Sequence, residues 1–150
     1  MDRVSTVRKQ TLGLLVGYGL QFLAGMLLNL FVTVAAVHPG TQAGEFFGGA
    51  ARALGWALSG QGGWELAVHA YLAIALVLGT LSLCYSSVLM RSRRWIICSI
   101  IAAFFTMGAL FNGLSFINYN HDVNSMVMAS CWLISVGAIV VARSSSPARR

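Results

Sequence analysis

Four apolar stretches, at about residues 12–37, 66–90, 95–117 and 123–142, take up most of this 150-residue chain. A helix rises ~1.5 Å per residue, so about 20 residues cross a hydrocarbon core of ~30 Å, and each stretch is that long. With 57% hydrophobic and 9% charged residues, a soluble domain of this size would lack the polar surface to cover itself, whereas lipid solvates outward-facing Leu, Ile, Val and Phe directly. The fold class expected is therefore all-α: a four-transmembrane-helix up-down bundle forming a single integral membrane domain over residues 1–150.

The charges assign an orientation. Arg3, Arg8 and Lys9 precede the first stretch, Arg91, Arg93 and Arg94 lie between the second and third, and Arg143, Arg149 and Arg150 follow the fourth; only Arg52 falls on the other side. By the positive-inside rule both termini are expected in the cytoplasm, with a cytoplasmic tail at 143–150 and an outer loop at 38–65, in a multi-pass protein of the plasma membrane. The same rule and the attraction of anionic headgroups account for the basic balance, so no nucleic-acid partner is expected. The first stretch is too long for the ~7–15-residue apolar region of a secretory signal and is expected to be retained. Cys84, Cys98 and Cys131 suggest packing rather than a disulfide framework or a metal-binding Cys-x-x-Cys.

Within the first stretch Gly13, Gly17, Gln21, Gly25, Asn29 and Thr33 recur every fourth residue, a small and polar face expected to look at protein rather than lipid. With Asn112, Ser115 and Asn118 further along, Gln21 and Asn29 form a candidate polar seam. The series Gly25, Asn29, His38 is echoed at equal spacing by Gly108, Asn112, His121, as a duplicated hairpin would give. The turns at 91–94 and 118–122 are tight and demand antiparallel neighbours, whereas 38–65 is long and glycine-rich. In that loop Phe46, Phe47, Ala50, Leu54 and Leu58 share a helical face, which predicts a short amphipathic helix flat on the membrane surface, with Trp56 and Trp64 at headgroup level.

All three histidines fall at the outer end: His38 at the close of the first stretch, His69 a turn into the second, and His121 entering the fourth. Asp122 suits the N-terminus of the fourth helix, and Glu65 stands one turn before His69. In an up-down bundle the second and fourth helices are diagonal, so His69 and His121 can approach a common centre as the axial pair of a b-type haem. Gly25, Gly108 and Gly113 would then leave room for the ring, against Phe111, Phe116 and Tyr119. A Cu or Zn site from His38, His69, His121, Glu65 and Asp122 is a second possibility.

One histidine near the outer start of the second span, another near that of the fourth, Glu65 before the first of them, and an amphipathic helix in the first outer loop together resemble one four-helix half of heme A synthase. The resemblance is topological and implies haem binding at His69 and His121; the first outer loop carries no cysteine pair. The chain also looks like small four-span membrane proteins common in actinobacteria, which implies no activity. No phosphate-cradling loop with lysine, paired carboxylates within a span, or nucleophile elbow marks an enzyme. Two classes of function are thus expected to compete: a haem- or metal-binding membrane protein, and a non-catalytic accessory subunit that oligomerises or joins a larger membrane complex.

Overall fold

The computed structural model describes residues 3–144, so Arg149, Arg150 and the tail beyond Ser144 lie outside the described residues. The described chain is all-helical: α1 (Arg3–Phe31), α2 (Phe46–Leu58), α3 (Trp64–Leu89), α4 (Arg93–Tyr119) and α5 (Asp122–Ser144). All but α2 are long and apolar enough to cross a membrane. Their outward faces carry large apolar side chains, among them Leu23, Leu30, Leu78, Phe104 and Leu133.

The first helix differs most from its expected span, ending at Phe31 instead of residue 37. Apolar character continues past Phe31 but helicity does not. Val32, Thr33, Val34 and Val37 are β-branched, and Pro39 pushes His38 out of the helical region. At its other end α1 runs out through the basic residues to Arg3.

Around the bundle α1 packs on α3, α3 on α4, α4 on α5, and α5 returns to α1; the backbones of the diagonal pairs, α3 with α5 and α1 with α4, nowhere come close. The buried face of α1 is Val7, Thr11, Leu14 and Tyr18, alternately four and three residues apart, the rhythm of helices packed at a shallow angle. The every-fourth-residue stripe departs from that face. Four residues overshoot a turn by about 40°, so the stripe winds around the helix. Gly17 meets Leu76, and Gly25 meets His69, while Gly13 and Asn29 are exposed.

Two clusters fill the interior. At the basic end and through the middle, Val7, Leu14 and Tyr18 of α1 pack with Leu76, Leu83, Trp95, Ala102 and Ile139. At the opposite end Trp56 and Ala57 of α2 pack with Leu66 and Ala70 of α3, flanked by Leu28 and Ile117. The face that α2 buries is Gly49, Ala50, Ala53, Trp56 and Ala57, which shares only Ala50 with the face expected from its bulkiest residues; Phe47 points outward and Trp56 is buried. Small residues allow α2 to lie close on the ends of α3 and α4, and the indole fills the gap that remains. Trp64 is 71% exposed.

Hydroxyls hold the middle of the bundle. Tyr18 Oη meets Thr106 Oγ1, Thr106 donates to Ala102 O, and Ser135 Oγ lies 3.1 Å from the same carbonyl, so α1, α4 and α5 share one buried network. Trp132 Nε1 donates to Tyr18 O at 3.0 Å. At the basic end Arg94 donates to Val141 O at 2.7 Å, which satisfies a carbonyl in the last turn of α5. The three cysteines are free.

Candidate functional site

The end opposite the basic residues is built on the last turn of α4. A helix leaves its final carbonyls without partners, and here its own C-cap residue and the loop between α1 and α2 supply them. Asn120, in the left-handed conformation, donates its N–H to Phe116 O at 2.8 Å; His38 Nε2 donates to Ile117 O at 3.1 Å; Gln42 N–H donates to Asn118 O at 3.0 Å. Tyr119 returns the contact, its hydroxyl donating to Ala43 O at 3.2 Å.

His38 is thereby a clamp between α2 and α4. Its ring stacks on Trp56 with centroids 4.5 Å apart and planes at 12°. Its Nδ1 lies 3.1 Å from Pro39 O, so both ring nitrogens face carbonyls.

His69 is turned to α1, away from α5. The Gln21 amide donates from Nε2 to His69 Nε2 at 3.0 Å, which leaves the ring proton on Nδ1. His69 Nδ1 and Gln21 Oε1 are removed from solvent and have no partner. Gly25 makes this approach possible, because a Cβ there would stand 3.2 Å from His69 Cε1. Gly25→Val is expected to push the imidazole off Gln21 and destabilise the bundle by about 1–3 kcal/mol, the usual range for overpacking, as read from reversible unfolding in mixed micelles. Unchanged stability would mean that α1 and α3 are not held this closely.

The remaining candidates do not join His69. His121 is exposed in the turn before α5 and lies beside Tyr119, centroids 6.4 Å apart. Asp122 is exposed in the first turn of α5, where its charge suits the helix dipole. Glu65 bends back over Gly63 at the start of α3, its Oε2 3.1 Å from where a Cβ on Gly63 would stand. Among the described residues no three His, Cys, Asp or Glu side chains form a group able to hold a metal ion.

The seam residues act locally. Asn112 Nδ2 donates to Gly108 O one turn back at 2.8 Å, and Asn124 Nδ2 donates to Ser115 Oγ at 3.0 Å, tying α5 to α4. Asn118 is 1% exposed beneath Gly49 of α2, with both amide atoms unpartnered. At the three glycines expected to leave room for a macrocycle, an added Cβ would meet His69 Cε1 at 3.2 Å beside Gly25, Cys131 Sγ at 3.3 Å beside Gly108 and Met128 Sδ at 3.3 Å beside Gly113. The two halves of the suggested repeat also differ, since His38 clamps a loop while His121 lies exposed beside Tyr119.

Tyr18, Thr106, Ser135 and Trp132 are the polar residues that the sequence pattern passed over. The signal for Tyr18 was its place in the Val7, Thr11, Leu14 rhythm. Comparison with protein-family models, curated proteins and solved structures finds no match to this chain.

Proposed function

We propose that this chain is a small multi-pass plasma-membrane protein that serves as a non-catalytic accessory subunit of a larger membrane assembly. In this reading the four long helices form an up-down bundle, both termini are cytoplasmic, and α2 is a short helix lying along the outer surface. One observation carries it: the three imidazoles serve three separate neighbours, the α4 terminus, Gln21 and Tyr119, instead of facing a common centre. Polar groups within the spans tie helix to helix, as in bundles whose role is to present a stable apolar surface to lipid and partner helices.

The haem reading keeps the His69 and His121 pair as its ligands and is decided by a spectrum. Protein purified without a histidine tag in mild detergent is expected to show no Soret band, and a stoichiometric membrane partner is expected to remain bound in the His69→Ala and His121→Ala variants. A Soret band lost in either variant would overturn the accessory reading and restore haem. Equimolar Cu or Zn in the same preparation would overturn it in favour of a metal site.

A further inference from the structure

The α1–α3 contact opens on its outer face into a groove of about 330 Å³, lined by Gln10, Gly13, Gly17, Ala75, Leu76 and Gly79 among others. Its floor is Leu14 and Leu76, both buried. Gly13 leaves the wall open, with nothing within 4 Å of where its Cβ would stand. Along α3 the lining runs from Leu72 to Ser82, about 15 Å at ~1.5 Å per residue, which is half of a ~30 Å hydrocarbon core. On α3 that stretch straddles the middle of the helix, and on α1 it runs from the middle, at Gly17, towards the basic end.

Its two ends differ. The inner end is apolar, at Gly17 and Leu72, whereas the other is polar: Gln10 Nε2 donates to Ser82 Oγ at 3.1 Å, and Gln10 Oε1 is removed from solvent without a partner. Exposed Lys9 stands next to Gln10 at that polar mouth, and exposed Arg91 follows α3 about 13 Å beyond Ser82 at ~1.5 Å per residue. An apolar slot, a polar mouth towards the basic end and cations beyond it match, in order, an acyl chain, a glycerol ester and an anionic headgroup. The α1 span is also the least enclosed of the four, 11% buried against 22% for each of the others, so this face depends on what lies against it.

We propose that this groove binds one anionic glycerophospholipid of the leaflet at the basic end, its acyl chain against Gly13, Gly17 and Gly79 and its headgroup at Lys9 and Arg91. The site rests on the four helices lying in a membrane and is independent of the accessory role. Native mass spectrometry in mild detergent, with phosphatidylglycerol and phosphatidylcholine of matched chains, tests it. The wild type is expected to retain phosphatidylglycerol at least fivefold better. Gly13→Leu fills the slot where space is open and is expected to lower retention of both lipids at least threefold; the Lys9→Gln, Arg91→Gln double variant is expected to lose only the preference between them. Equal retention by Gly13→Leu and wild type, or no preference in the wild type, overturns the proposal. A dimer that Gly13→Leu dissociates, with no lipid retained, assigns the groove to a second copy and also overturns it. A chain that stays monodisperse and helical without detergent would instead refute the membrane reading itself.

Discussion

Replacing Trp56 with alanine is expected to free α2 from the rest of the molecule. The indole is 8% exposed and is the largest buried side chain that α2 contributes to the outer cluster; the others are alanines and a glycine. Truncating a buried Trp costs ~3–5 kcal/mol, the lost burial and the cavity together. The stack on His38 is lost with it, so the loop that satisfies Ile117 O and Asn118 O loosens as well. Local opening free energies are read directly by amide hydrogen exchange, and ~3 kcal/mol corresponds to an acceleration on the order of 100-fold for the Ala50–Leu58 amides. The α4–α5 contact is remote from Trp56 and is expected to keep its protection. His38→Ala removes one hydrogen bond and one ring face but leaves the indole in place, so its effect on the same amides is expected to be nearer tenfold, about 1.4 kcal/mol. Unaltered exchange in Trp56→Ala would show that α2 is held by something other than this anchor.

The parts of the fold that are legible in the sequence are those on which lipid makes a demand. A span must be long and apolar, and a short connection must return the chain antiparallel, so α3, α4 and α5 lie within about two residues of their expected limits. The end of α1 was not legible from hydropathy because residues 32–37 are apolar without being helical. The buried face of α2 was hidden for a related reason: at a membrane surface both lipid and protein accept apolar side chains, and the choice fell to Gly49, Ala53 and Ala57, whose smallness permits close approach.

For the candidate site, the sequence placed the three imidazoles at one end of the molecule but left the direction of each ring open. Where His69 points depends on the rotation of α3 about its axis, which is set by the buried series Leu66, Ala70, Leu76, Thr80, Leu83 and Ser87. His69 falls beside that series, on the flank towards α1, where Gln21 and Gly25 receive it. The central hydroxyls escaped notice because Ser and Thr inside a span can bond to their own helix, as Thr80 does to Leu76 O and Ser87 to Leu83 O, and so carry no sign of a partner.

Tyr18 distinguishes packing from hydrogen bonding in the middle of the bundle. Its side chain is 2% exposed at the junction of α1, α4 and α5, where its hydroxyl meets Thr106. In lipid the unfolded helices remain solvated by hydrocarbon, so burial from water contributes little and the cost of Tyr18→Ala is chiefly the cavity and its lost dispersion contacts, about 2–3 kcal/mol of the ~3–5 typical for an aromatic in a soluble core. Interhelical hydrogen bonds in such bundles average ~0.6 kcal/mol. Thr106 keeps its bond to Ala102 O when the phenol is removed, and Ser135 keeps its own to Cys131 O, so Tyr18→Phe leaves neither hydroxyl stranded and is expected to cost under about 1 kcal/mol. Unfolding of both variants in mixed micelles against the wild type measures the two contributions separately. If Tyr18→Phe costs as much as Tyr18→Ala, the hydroxyl network and not the aromatic volume holds α1 to the bundle, and Thr106→Val should then be as damaging as either.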